Sequence, residues 1–308
     1  MKRSDADNNL PSKVRLVEVG PRDGLQNEPP PIISTSLKVE LIQKLAECGL
    51  THIEAASLVS PQWVPQMADS RDVLRKIERK SGVRYTALTP NEKGVEQAIA
   101  CGANEIAVFT AASEAFCQKN INCSIGESLK RFQPAIQLAI ANKVPVRGYV
   151  STTLGCPYSG EISPGEVARV CHALDEMGCY EISLGDTIGT GTPLKVKRML
   201  QRVKQSIPAR KLAVHFHDTY GQALANIYAA LQEGISVIDS SVAGLGGCPY
   251  ARGASGNVAT EDVLYMLDGL GINTGVNLNE LVSVSHWICQ QLNCQNNGNV
   301  SQALNGRH

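Results

Sequence analysis

The chain carries no excess of either charge: 29 Lys plus Arg balance 29 Asp plus Glu over 308 residues. That balance excludes a basic face spread over the whole molecule for nucleic acid or an anionic membrane, though not a local basic pocket. There is also no apolar run of the roughly 18 or more residues that a membrane helix needs. The first nine residues hold no apolar stretch and include Asp5 and Asp7. Neither a secretory signal nor a transit peptide is therefore expected, and the expected location is the cytoplasm. Lys2 excludes N-myristoylation, and Gly306-Arg307-His308 is neither an ER nor a peroxisomal address. Ten cysteines are present without one CxxC pair, many of them inside apolar runs. In a chain this large they read as buried free thiols in a reducing compartment rather than as a disulfide framework.

What the chain does have is material for a large core, with 43% hydrophobic and 19% charged residues. Length alone permits two domains, but a single α/β barrel commonly takes about 250 residues. Short β-branched runs alternate with amphipathic stretches. Strands are expected at 14–20, 51–57, 83–89, 105–111, 144–151, 180–186, 212–218 and 237–243. Helices are expected at 36–48, 66–80, 91–101, 125–141, 163–177, 193–206, 221–233 and 257–269. Ser163-Pro164 and Thr192-Pro193 are helix starts, and Gly49, Gly102, Gly178, Gly234 and Gly269 are helix stops. No G-x-G-x-x-G opens a helix after a strand, which counts against a Rossmann sheet. Eight strand–helix pairs predict a (β/α)8 TIM barrel over residues 14–294, closed by an additional C-terminal helix at 278–292. Residues 1–13 are expected to be a flexible N-terminus and 295–308 a loose polar tail.

In such a barrel the chemistry sits where the strands end. The first strand runs into Gly20-Pro21-Arg22-Asp23-Gly24-Leu25-Gln26-Asn27-Glu28, which crowds an Arg, an Asp and amides into one loop. The seventh carries Val214-His215-Phe216-His217-Asp218. Residues two apart on a strand share a face, so His215 and His217 are placed to bind one cation through imidazole nitrogen. Asp218 reads as a supporting partner or a helix cap. After the eighth strand comes a glycine-rich loop, 244–257, with Cys248 and Arg252, ending at Asn257. That loop is either a mobile flap or a phosphate cradle, and Asn257 either a helix cap or a metal ligand. Asp186, ending the sixth strand, reads as an acid–base group, a supporting residue or a turn former. Glu54, inside the second strand, needs a cationic partner if buried, and Arg22 is the candidate.

On these residues the chain resembles the 3-hydroxy-3-methylglutaryl-CoA lyase family. The matching blocks are VEVGPRDGLQNE at 17–28, VSPQWVPQM at 59–67, NINCSI at 120–125, YEISLGDTIG at 180–189, HFHDTYGQALAN at 215–226 and SVAGLGGCPYA at 241–251. The resemblance runs from about residue 14 to 293. It implies a retro-Claisen cleavage of an acyl-CoA substrate to acetyl-CoA and acetoacetate, of the leucine-degradation and ketone-body type. It further implies a required Mg²⁺ or Mn²⁺ held by Asp23, His215, His217 and Asn257. Arg22 would neutralise the developing enolate, and Cys248, with Asp186 and Glu54 nearby, would take part in proton transfer. Gln26, Lys119, Asn120 and Arg147 would contact the substrate, and the oligomer would be a homodimer. Two departures stand out: Pro29-Pro30 replaces a lysine found after the Gln-Asn-Glu run in some members, and a cysteine near their C-terminus is missing here. The rivals are a Claisen-type synthase of the same superfamily, expected to carry a different eighth loop and a further C-terminal domain, and an amidohydrolase-type metal hydrolase. The second usually places its H-x-H on the first strand. A silent scaffold barrel would not need this full set of residues.

Overall fold

A computed structural model describes residues 10–247 and 256–305 of the chain. Eight parallel strands close into a barrel in sequence order, with β1 returning to pair with β8. They are β1 Arg15–Glu18, β2 His52–Ser57, β3 Arg84–Leu88, β4 Glu105–Ala111, β5 Val146–Ser151, β6 Glu181–Asp186, β7 Leu212–Phe216 and β8 Val237–Ser240. All eight fall inside the runs expected from β-branched patterning. The helices are α1 Thr35–Glu47, α2 Ser70–Lys76, α3 Glu92–Ala100, α4 Glu114–Ile121, α5 Ile125–Ala141, α6 Pro164–Glu176, α7 Pro193–Val203, α8 Ala223–Gln232, α9 Thr260–Gly269, α10 Leu278–Leu292 and α11 Asn299–Asn305.

Local chemistry explains most boundaries. Ser163 caps α6 by accepting from the Glu166 amide, with Pro164 at the first helical position. Gly49 ends the turn after α1 at φ +99°, where a Cβ would also strike the Gly275 carbonyl oxygen. The main core lies between the outer strand faces and the helices, built from side chains such as Leu41, Ile53, Ile106, Ile136 and Leu200.

The barrel interior is less apolar. Arg15, Glu181, Arg147 and Asp239 form a chain of ion pairs through it, buried except at the half-buried Arg15, and Arg84 pairs with Glu105. Arg147 is 1% exposed. Its Nε donates to Glu181 (2.8 Å), Nη1 to Tyr149 Oη (2.7 Å) and Asp239 Oδ2 (2.9 Å), and Nη2 to Asp239 Oδ1 (2.7 Å). The expectation that Arg147 contacts substrate is corrected here. It lies near the start of β5, away from the strand ends, and its donors are committed to buried carboxylates.

Two elements were not anticipated, and one helix is shorter than expected. The stretch 66–80 yields a 3₁₀ turn at Pro65–Met67 and only seven residues of α2. α4 inserts between β4 and α5. It is eight residues long and buries only Phe116 and Cys117, so it has no apolar stripe to announce it. α11 lies in the segment expected to be loose. Its start is capped from another helix, with Asp262 of α9 accepting from the Asn299 and Val300 amides, and buried Ser301 donates to Glu261. A cap supplied from 37 positions away leaves no local sequence signal.

Strand alternation turns Glu18 outward from β1, beneath α9. It is fully buried without a cationic partner and accepts from Gly20 N, Val242 N and Thr260 Oγ1. One carboxyl thus ties the turn after β1 to the turn after β8. Burial pushes it up to about 7 against these hydrogen bonds. The stability carried by the protonated form is complete below the ordinary value of 4.5 and is lost as pH rises through about 7. Glu18→Gln should flatten that slope, read from urea midpoints at about pH 5 and about pH 8. A variant as pH-sensitive as wild type would show that another group titrates.

Candidate metal centre and active site

The chain leaves β1 in a π-type turn, Gly20–Gly24, in which the Arg22, Asp23 and Gly24 amides all turn back to the Val19 carbonyl. Tight winding aims Arg22 and Asp23 together over the barrel mouth. Gly24 is needed there, because a Cβ would meet Leu245 Cβ at 2.9 Å. Across the mouth, β7 ends in His215 and His217, whose ring centroids lie 5.4 Å apart. Asp23, His215 and His217 offer donor atoms that all lie within 4.8 Å of one another, the described residues that could hold a metal ion. His215 Nε2 is 3.8 Å from Asp23 Oδ2. Asn257, bridged to His217 through its backbone, places its side-chain amide 2.9 Å from the same oxygen.

The residues fit a divalent cation. His217 Nδ1 is buried with no hydrogen-bond partner among the described residues, an unsatisfied lone pair beside Asp23 and His215. Burial and neighbouring His215 bring His217 down to about 4, so it is the neutral imidazole that a metal requires. Burial acts to raise Asp23, but Arg22 and the histidines outweigh it and hold the carboxyl at about 2. One ionised oxygen donor and two imidazoles make a mixed set suited to a hard or borderline ion.

Arg22 is 6% exposed and sits between two carboxylates, Nη1 at 2.6 Å from Asp23 and Nη2 at 2.7 Å from Glu54. Burial works against its charge, and Glu54 and Asp23 more than restore it, raising Arg22 above the ordinary value. Glu54 is completely buried in the barrel interior. Gln26 donates to Asp23 Oδ1 (2.8 Å).

These groups face one cavity of about 1160 Å³. Arg22, Asp23, Gln26, His215 and His217 line its floor, while Lys119 and Asn120 of α4 line its side. Sequence reading did not single out Arg71, Lys93 and Arg131, which add positive charge to the same cavity, or Tyr149, whose ring lies under the Arg22 guanidinium at 5.8 Å. The only available signal for Tyr149 was its period-two spacing from Arg147 on β5.

Asp186 is not brought into the group. Ser183 and Gly185 face the barrel interior, so alternation turns Asp186 outward. There it accepts from the Gly191 amide (2.8 Å), and burial lifts it to about 6 against several backbone hydrogen bonds. It holds the loop that follows β6. Cys248 lies outside the described residues. The two ends of its segment are tied together: Gly256 N donates to the Gly246 carbonyl at 2.9 Å, and Gly247 lines the cavity. A Cβ on Gly256 would lie 2.3 Å from that carbonyl oxygen, so only glycine closes this neck.

A family model described as HMGL-like matches residues 13–288. The chain is 60% identical over 294 residues to a protein of Rattus norvegicus named hydroxymethylglutaryl-CoA lyase, mitochondrial, covering 96% of this chain and 90% of that one. Its structure superposes on hydroxymethylglutaryl-CoA lyase from Pseudomonas aeruginosa with a TM-score of 0.95 at 57% identity, covering 97% and 100% of the two chains. An HMG-CoA lyase from Acinetobacter baumannii, solved with coenzyme A and 3-methylmalate, gives 0.90 at 35% identity over 98% and 97%.

Proposed function

The chain belongs to the HMGL-like family of hydroxymethylglutaryl-CoA lyases, and from that premise we propose how its barrel mouth cleaves 3-hydroxy-3-methylglutaryl-CoA to acetyl-CoA and acetoacetate. The observation that carries the reading is the convergence of Asp23, His215, His217 and Arg22 on one cavity. Asp23, His215, His217 and Asn257 would hold Mg²⁺ or Mn²⁺, which would supply Lewis acidity toward the substrate's tertiary hydroxyl.

The reaction breaks the bond between the carbinol carbon and the methylene next to the thioester. The hydroxyl gives its proton to a base at the site, and its oxygen becomes the ketone of acetoacetate. The electron pair of the broken C–C bond passes into the thioester enolate, and one proton returned to the enolate carbon leaves the reaction proton-neutral. Arg22 stands ready for that negative charge. Its guanidinium is buried, fixed by Asp23 and Glu54 on either side, and its Nε has no protein partner. A fixed cation in a water-poor site stabilises an enolate without the reorganisation that solvent requires. Proton delivery to the enolate carbon completes acetyl-CoA. We assign that donor to Cys248, a role supported by Gly247, its neighbour, lining the cavity. Glu54 serves by neutralising Arg22, and Asp186 by holding its loop.

The anionic coenzyme fits the rest of the cavity. Lys119, Lys93, Arg71 and Arg131 place cations where a molecule neutral overall needs them, and Asn120 adds a neutral amide beside them. The homodimer and the cytoplasmic location stand as proposals, the second supported by nine free cysteines among the described residues. Incubation with HMG-CoA and Mg²⁺ should release acetoacetate and acetyl-CoA in equal amounts. No acetoacetate above background would overturn the reading, and condensation of acetyl-CoA with a keto acid would favour the synthase.

A further inference from the structure

We propose that Asp239, on β8 and outside the cavity, is a positioning residue that fixes His215 for metal binding. The proposal rests on the metal reading of the Asp23–His215–His217 cluster. Asp239 lies opposite His215 in the β7–β8 register and is 1% exposed. Its Oδ2 meets His215 Nδ1 at 3.3 Å and accepts from Ser183 Oγ at 2.8 Å and from Arg147 Nη1 at 2.9 Å. Oδ1 accepts from Arg147 Nη2 at 2.7 Å. An ionised carboxylate only accepts hydrogen bonds, so the contact with His215 is favourable when Nδ1 carries the hydrogen. That places the imidazole lone pair on Nε2, the nitrogen that faces Asp23. The second nitrogen of a metal-binding histidine is commonly fixed in this way, and losing such a partner typically costs about 10–100-fold in metal affinity.

Asp239 is itself held in place. Arg147 grips both its oxygens, Glu181 grips Arg147, and Arg15 closes on Glu181. This chain of ion pairs runs through the barrel interior and ends on His215. It gives buried Arg147 a purpose that substrate contact does not.

Asp239→Asn keeps the shape but not the bonding. Whichever way the amide lies, an N–H faces either Arg147 or the His215 Nδ1–H. Mn²⁺ binding, followed by electron paramagnetic resonance of the free ion, should weaken about 10–100-fold, and most of the activity should return at saturating Mn²⁺. Glu105→Gln is the structural control: Glu105 is equally buried in the interior, pairs with Arg84, and has no contact with His215. It should lower stability and leave Mn²⁺ affinity unchanged. Wild-type affinity in Asp239→Asn, or equal losses in both variants, would overturn the proposal. If Asp239→Asn does not fold, nitrogen-15 spectra of the wild type without metal decide it, taken at a pH high enough that the His215 ring carries a single N–H. His215, assigned by its absence in His215→Asn, should be the Nδ1–H tautomer, and the Nε2–H tautomer would overturn the proposal. A wild type that fails to bind Mn²⁺ at all would overturn the metal reading instead.

Discussion

Asp23→Ala is expected to abolish metal-dependent cleavage, with a loss of about 10³-fold or more in kcat/KM and no detectable binding of Mn²⁺. The size follows from how many things one carboxylate does. It accepts from Arg22 (2.6 Å), Gln26 (2.8 Å) and Asn257 (2.9 Å), and it faces His215. It is the anionic member of the cluster, so its removal leaves two imidazoles and an amide around a dication. Metal-supplied stabilisation is worth several kcal/mol, and each 1.36 kcal/mol is about tenfold in rate. His217→Ala should give a loss of the same order, because that side chain makes no hydrogen bond through Nδ1 whose loss would unfold the protein. Isothermal titration with Mn²⁺ and a coupled acetoacetate assay read the two effects. Asp23→Ala that retains wild-type kcat/KM would show that the cluster holds no catalytic ion.

The pairing of His215 and His217 was legible because strand geometry is simple. His215 and His217 are two apart, so a strand must put them on one face, and the same rule places Glu54 inside the barrel. The rule misled where the starting face was unknown. Asp186 ends its strand beside the mouth in sequence, but sits one residue out of phase with Ser183 and Gly185 and so points outward. Arg147 misled for a different reason: a strand's sequence does not say that Glu181 and Asp239, from two other strands, will absorb its charge. Asp239 itself was passed over as one acid in the apolar run Val237-Ile238-Asp239. Its importance comes from pairing across strands, which no single segment encodes. The same holds for α11, capped by Asp262 from α9, whereas α6 was readable because Ser163 and Pro164 announce it in place. Barrel order and closure were legible from the repeat of strand and helix. The packing of charges inside the barrel was not.

Arg22→Met tests the other half of the site, and its two expected effects separate. kcat should fall about 10²–10³-fold, the usual loss for one preorganised group facing a developing oxyanion, with KM changed little because the cation acts mainly on the enolate. Stability should also fall, by about 3–5 kcal/mol, since removing one partner of a buried ion pair strands the other. The stranded group is Glu54, fully buried, with Oε1 already unpartnered among the described residues and Oε2 losing its 2.7 Å contact to Arg22, which leaves it only the 3.3 Å hydrogen bond from Tyr149 Oη. Burial already raises Glu54 above the ordinary carboxyl value even with Arg22 beside it, and without Arg22 it rises further. A carboxyl raised in the folded state contributes stability at low pH that is lost as pH increases. Arg22→Met should therefore recover stability on acidification toward the ordinary value of 4.5. Adding Glu54→Gln removes the buried charge, so the double variant should regain much of the lost stability at neutral pH while remaining as inactive as the single one. Denaturant midpoints and steady-state kinetics on the same preparations decide the matter. A double variant that recovered activity along with stability would mean that Arg22 serves folding and not the enolate.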